Sequence, residues 1–228
     1  MAEGGEQDQR LWSAWELQRR FGPWDGMVPS AVAELFDGAP FRWWIAGGWS
    51  LDDPASPARV HEDTDISVLA RDLDAVREWL SAWHVWEAHG GLTPLLPGEQ
   101  PRPGREQWWV RRDAWSPWVL DVLHSRTDGD DWLYKRDERV RRPLDQVVRV
   151  RADGVAYEVP EVTLLHKAPH SREKDVADLE RVWPTLDPAA RTWLRESIAL
   201  AHPDSPWNVR LERLDGSRNL MGRVPAAD

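Results

Sequence analysis

Phe41-Arg42-Trp43-Trp44-Ile45-Ala46-Gly47-Gly48-Trp49-Ser50-Leu51-Asp52, followed by Arg59-Val60-His61-Glu62-Asp63-Thr64-Asp65-Ile66, is the stretch that decides the reading of this chain. An apolar run ends in a glycine pair, and a second apolar run opens on two aspartates two positions apart. In a strand, residues i and i+2 share a face. Asp63 and Asp65 are therefore predicted to point the same way, where their charges repel unless a cation lies between them. Hard oxygen ligands of this kind suit Mg²⁺, which takes one or two carboxylates together with substrate phosphates. The glycine pair offers backbone N–H groups that can approach a phosphate with no Cβ in the way. The two halves together predict a site for a metal and a nucleoside triphosphate.

Working outward, hydrophobic periodicity and turn residues outline the elements. Residues 1–8 read as disordered, and Leu11, Trp12 and Trp15 recur at helical spacing in a helix that Gly22-Pro23 stops. Ser30 to Phe36 reads as a second helix, Phe41–Ala46 as a buried strand, Gly48–Leu51 as a short helix start and Pro54-Ala55-Ser56-Pro57 as a loop. Asp65–Leu69 is the next strand, after which Asp72 is placed to cap a helix bearing Leu73, Val76, Leu80 and Trp83. Val85–Ala88, Gln107–Arg111 and Trp118–His124 read as strands, with a turn at Gly90-Gly91 and a Pro- and Gly-rich loop from Leu95 to Arg105. The charge run Arg136 to Arg142 reads as a solvated loop, and Val147–Val150 with Val155–Val159 as a hairpin across Asp153-Gly154. From Pro160 the pattern is helical: Glu161–Ala168, Arg172–Trp183, and Pro188–Ala201 behind an Asp187 cap. The class is α+β, a mixed α/β part over residues 1–159 and a helical region over 160–228.

The quoted motif resembles a known family. A glycine pair, a short spacer and Asp-x-Asp is the signature of the nucleotidyltransferase fold shared with DNA polymerase beta. The fuller pattern, Gly47-Gly48-Trp49 with Arg59-x-His61-x-Asp63-x-Asp65, is similar to the aminoglycoside and lincosamide nucleotidyltransferases. A second block agrees: Leu164-Leu165-His166-Lys167-Ala168, then Arg172-Glu173-Lys174-Asp175 through Asp178-Leu179. The resemblance spans Phe41 to Leu179 and implies a mixed sheet flanked by helices. It also implies transfer of a nucleoside monophosphate, AMP from ATP, to a hydroxyl of a small molecule, with two Mg²⁺ ions as cofactor. Antibiotic resistance follows if the acceptor is an aminoglycoside.

In that chemistry Asp63 and Asp65 are the expected metal ligands. Asp121 lies inside the apolar run Trp118 to His124, a costly place for a carboxylate without a cation. The resemblance implies that it is the third acidic position, general base or metal ligand; the alternative is a structural aspartate bonded to an arginine or to backbone. Gly47 and Gly48 are expected to hold the triphosphate, with the Ser50 hydroxyl as a further donor and Arg59 beside them. His61 is expected to steer the acceptor or orient an aspartate. Lys167 and, less strongly, Lys174 can reach phosphates from the helical region, while Asp175 and Asp178 read as surface ion-pair partners. Trp108, Trp109, Glu87 and Asp113 fall near the cleft with no direction assigned, and the remaining histidines show no metal-ligand spacing.

Composition narrows the partners. The 228 residues carry a formal charge of −10, which disfavours a nucleic-acid backbone as partner and favours a cationic ligand. No apolar run is long enough to span a membrane and no signal-peptide pattern opens the chain, so a cytoplasmic protein is expected. With no cysteine, disulfides and thiolate metal sites are excluded. Seventeen tryptophans against three Phe and two Tyr imply that tryptophan fills most aromatic core positions, with some left for a ligand wall. Two other readings compete: a toxin–antitoxin type of nucleotidyltransferase acting on protein or RNA, and a catalytically silent nucleotide-binding module. Oligomeric state has no signature in the sequence.

Overall fold

The computed structural model describes residues 14–53 and 59–221. The readings made for residues 1–8, for Leu11 and Trp12, and for the 54–57 loop lie outside these residues. Helices α1 (Ala14–Phe21) and α2 (Pro29–Leu35) lead into strand β1 (Trp43–Ile45) and the four-residue helix α3 (Gly47–Ser50). Strand β2 (Asp65–Leu69) and helix α4 (Leu73–Trp79) follow, then β3 (His84–Ala88), β4 (Leu92–Pro94), β5 (Gln107–Arg111) and the long β6 (Trp118–Asp128). Strands β7 (Asp131–Leu133), β8 (Arg141–Pro143), β9 (Val148–Val150) and β10 (Ala156–Glu158) complete the sheet. Helices α5 (Pro160–Lys167), α6 (Glu173–Val182), α7 (Pro188–Ala201) and α8 (Trp207–Met221) close the chain.

The main path of the sheet runs β4-β3-β5-β6-β2-β1-β10-β9, with β7 on the far part of β6 and β8 on β7. β2 pairs parallel with β6 and β1 parallel with β10, while the other pairs are antiparallel, so the sheet is mixed as expected. The parallel β2–β6 pair sets Asp65 opposite Asp121 in register. Side chains alternate between two cores. Trp44 of β1 joins the helical side, with Val162, Leu165, Leu179, Trp183, Leu194 and Trp207. Its neighbour Ile45 joins the other side, with Ile66 and Val68 of β2, Trp108, Val122, and Val32 and Val76 from the early helices. Trp44, Trp108, Trp118, Trp132, Trp183 and Trp207 are among the largest fully buried side chains, the core use of tryptophan that the composition predicts.

Local signals explain most boundaries. Proline occupies the first turn of α2, α5 and α7, where its missing N–H costs nothing. Asp187 accepts a hydrogen bond from the Ala190 N–H at 2.8 Å and caps α7.

Two readings need correction, and two elements were not assigned individually. Asp72 makes no side-chain cap, because its backbone (φ −102°, ψ 4°) ends a 3₁₀ turn instead of being extended. Strand β4 follows the Gly90-Gly91 turn although it contains Pro94, which an edge strand tolerates because it need not donate on its outer side. The Arg136–Arg142 run is in part strand β8 and is pinned by ion pairs such as Arg142–Glu161 at 3.0 Å. Helix α8 falls inside the 160–228 region read as helical, although no separate helix was assigned beyond Ala201.

Candidate active site

Asp65 is the first residue of β2 and Asp63 stands two residues before it; both border one cleft at the end of the parallel strand pair. Burial, and then the charge of Asp63, push the Asp65 carboxyl up to about 7. Burial, and then Asp65, push Asp121 well above the ordinary carboxylate range, against a hydrogen bond from Gln107 Nε2 to Asp121 Oδ2 at 2.5 Å. The other Asp121 oxygen, Oδ1, is buried with no hydrogen-bond partner. An orphaned buried carboxylate oxygen beside two further carboxylates calls for a cation.

The glycine pair is required by its neighbours as well as by any phosphate. Gly47 has φ 58°, and a Cβ there would lie 1.7 Å from Asp65 Oδ2. A Cβ on Gly48 would lie 2.6 Å from both Arg59 Nη2 and His61 Nδ1. The turn between β1 and α3 thus rests directly on the aspartate, the arginine and the histidine that the motif contains. His61 Nε2 meets Asp52 Oδ2 at 2.8 Å and its ring stacks on Trp49 with centroids 4.3 Å apart. Burial lowers the His61 pKa, against the hydrogen bond to Asp52.

The structure places the remaining sequence candidates unequally. Gly47, Gly48, Arg59 and Lys167 border the cleft with Asp63 and Asp65. Ser50 does not: it is fully buried, donates to the Gly47 carbonyl at 2.8 Å and pairs with Thr163 Oγ1 at 2.6 Å. Its hydroxyl is engaged inside the fold because α3 turns its side chain toward α5. Lys167 Nζ lies 3.0 Å from both Asp175 and Asp178. The reading of those two aspartates as surface partners is overturned, since both are buried and each is held by two or more cations. Helix α6 turns them toward α5 instead of toward solvent. Lys174 is half-buried at the edge of the cleft and meets Glu62 at 3.8 Å. Glu87 is buried against Arg102, Trp108 is core, and Asp113 caps a turn through the Trp115 and Ser116 N–H groups.

Several residues of the site were missed. Lys135 and Arg136 border the cleft, and Lys135 feels the charges of Asp121 and Asp65. The only signal in the sequence was two cations directly after the apolar run Trp132-Leu133-Tyr134. Glu158 is buried at the cleft wall, accepts from Thr163 Oγ1 at 2.6 Å and is pushed up to about 7 by burial. Gly26 lies so close to Asp63 and Thr64 that a Cβ would come within 2.9 Å of both, which brings Trp24 and Asp25 to the site.

The carboxylates separate two clefts of opposite character. The first is bordered by Arg59, Lys135, Arg136, Lys167, Arg172 and Lys174. The second is bordered by Asp25, Glu62, Asp63 and Asp121, with Trp24, Trp109 and His61, and with no Lys or Arg among the described residues. Asp63 faces both. Among the described residues no three His, Cys, Asp or Glu side chains already converge as a metal cage. The donor set nonetheless suits Mg²⁺, which needs only one or two carboxylates when phosphates complete its shell. Among the described residues no helix is long and apolar enough to cross a membrane.

Residues 30–90 match the family model described as aminoglycoside-2''-adenylyltransferase. The match contains the whole Gly47 to Asp65 motif and stops short of the second block at Leu164–Leu179. No curated protein matches the chain. A crystal structure of ANT(2'')-Ia in complex with adenylyl-2''-tobramycin is 13% identical with a TM-score of 0.43, covering 83% of this chain and 95% of that one. A solution structure of the antibiotic-resistance factor ANT(2'')-Ia is 13% identical with a TM-score of 0.37, covering 86% and 94%. At these scores the two likenesses carry no weight for function. The family match, falling on the glycine turn and on Asp63 and Asp65 at the start of β2, bears out the resemblance of this chain to the aminoglycoside nucleotidyltransferases.

Proposed function

We propose that this protein transfers the nucleoside monophosphate of an NTP, with ATP preferred, to a hydroxyl of a cationic small molecule of the aminoglycoside kind. The observation that carries the reading is the position of Asp63, Asp65 and Asp121 on the boundary between a basic and an acidic cleft. The basic cleft suits a triphosphate, with the Gly47-Gly48 turn at its wall and Arg59, Lys135 and Lys167 supplying charge. The acidic cleft suits an acceptor carrying ammonium groups, which tryptophan faces at Trp24 and Trp109 can also receive. The reactants then meet at the carboxylates.

The acceptor hydroxyl oxygen attacks the α-phosphorus, the bond from that phosphorus to the bridging oxygen breaks, and pyrophosphate leaves. Asp121 is the proposed base that takes the hydroxyl proton: its Oδ1 lacks a partner, and burial has already raised its proton affinity. Gln107 holds the other Asp121 oxygen and so fixes which oxygen is free. Asp63 and Asp65 would hold Mg²⁺, which when bound offsets the charge of the phosphates. A cytoplasmic setting follows from dependence on an NTP.

The test is incubation with each NTP, Mg²⁺ and a panel of aminoglycosides and lincosamides, with pyrophosphate release as readout. ATP and one or more aminoglycosides are expected to release it, and EDTA to abolish it. Release with lincosamides alone would replace the cationic acceptor with a neutral one. An acidic second cleft does not suit RNA, so the macromolecular reading gains nothing from the structure.

A further inference from the structure

Arg59 leans on the glycine turn from one side and borders the basic cleft. A guanidinium on an irregular segment has many conformers, and it serves a phosphate only if something fixes its direction. Its ion-pair partner is Asp178 of α6, with Nη2 at 3.4 Å from Oδ2. That carboxylate side chain is only 3% exposed, and it also holds Lys167 Nζ at 3.0 Å and Arg181 Nη2 at 3.1 Å. Arg181 continues to Asp52 at 2.7 Å and to the Leu51 carbonyl at 3.1 Å, and Asp52 holds His61 at 2.8 Å. One buried carboxylate on the helical region therefore touches two of the cations that border the basic cleft, Arg59 and Lys167. Through Arg181 it is also fastened to the residues that end that turn.

We propose that Asp178 is a positioning residue for the nucleotide: it acts through Arg59 and Lys167 and makes the triphosphate side of the site depend on helix α6. The proposal rests on the nucleotidyltransferase reading and deepens it. A carboxylate serving only to balance charge in the helical core would affect stability. A positioning carboxylate also affects nucleotide use, and it spares the acceptor, which lies across Asp63 in the other cleft.

The experiment is a double-mutant cycle on the full chain with Asp178→Asn, Arg59→Gln and the pair together. It reads the KM for NTP, the KM for the acceptor, the binding of a non-hydrolysable NTP analogue and the melting temperature. Wild type must first bind the analogue and release pyrophosphate; if it does neither, the nucleotidyltransferase reading fails before the proposal is reached. With a competent wild type, Asp178→Asn is expected to raise the NTP KM about tenfold, the loss typical of one charged hydrogen-bond partner. The acceptor KM should stay within about twofold on the same scale. In the Arg59→Gln background the part of that effect carried by Arg59 should vanish, leaving only the part carried by Lys167. Effects that multiply independently in the double variant, or a lower melting temperature with the NTP KM unchanged, would overturn the proposal. Should Asp178→Asn fail to fold, Arg181→Gln loosens the same carboxylate from a side chain that is 37% exposed. It is expected to raise the NTP KM several-fold, and an unchanged value would count equally against the proposal.

Discussion

At the residue scale the site is built on exact fits that single substitutions can break. Asp121→Asn keeps the shape and the bond from Gln107 but cannot accept the hydroxyl proton. Turnover is expected to fall by roughly 10²–10⁴, the range for loss of a general base, with the melting temperature held or raised as a buried charge disappears. A lower melting temperature with turnover spared would make Asp121 structural. Gly47→Ala puts a Cβ 1.7 Å from Asp65 Oδ2 on a backbone of φ 58°, so a loss of about 2 kcal/mol or more is expected, with turnover lost as well. Gly38→Ala is the control: its φ is 71° but its Cβ would meet nothing within 4 Å, and only the backbone cost of about 1–2 kcal/mol should appear. Glu158 titrates from about 7 in the fold against an ordinary 4.5, so its contribution to stability is complete below pH 4.5 and lost as pH rises through 7. Glu158→Gln should match wild type in a melt at pH 4.5 and exceed it at pH 8 by up to ~3 kcal/mol. Equal stability at both pH values would show that Glu158 is charged in the fold.

At the element scale the meeting of the carboxylates is a product of strand pairing. Asp65 and Asp121 are far apart in the chain and meet because β2 and β6 pair in parallel with these residues opposite each other. A slip of one residue would send one of the two carboxylates to the other face of the sheet. Helix ends matter for stability but stand away from the chemistry. The Asp187 cap lies at the start of α7, away from both clefts. Asp187→Ala is expected to cost about 1 kcal/mol and to lower the melting temperature by roughly 2–4 °C, with kcat and both KM values unchanged. A change in kcat would show that α7 is coupled to the site.

At the scale of the whole molecule the decisive property is the segregation of charge. The chain is acidic overall at −10, yet the cleft beside the glycine turn gathers six cations, whereas the other cleft is lined by acids and by no Lys or Arg among the described residues. Exposed charges are screened beyond about 8 Å at physiological ionic strength. Acceptor affinity should therefore fall as salt rises, more steeply for aminoglycosides with more ammonium groups. Calorimetric titration across a salt series checks this. A slope that ignores ligand charge would remove the cationic acceptor while leaving the nucleotidyl chemistry in place.

The sequence by itself determined the parts whose cause is local. The glycine pair, the two-residue spacing of Asp63 and Asp65, the proline-led helices and the Asp187 cap are written in adjacent residues, because turns, strand faces and helix starts are short-range effects. The placing of Asp121 inside an apolar strand was legible too, and its cost there was plain from the residues around it. The burial of Asp175 and Asp178 was not, because a helix face carries no mark of what will pack on it. Only the packing of α6 on α5 and on the turn after α3 made those surface-like charges a buried network and turned Ser50 inward. The opposition of a basic and an acidic cleft likewise belongs to the tertiary structure. It depends on Lys135, Arg172, Asp25 and Trp109 arriving from distant segments, and net charge is a sum that holds no information about where each sign will lie.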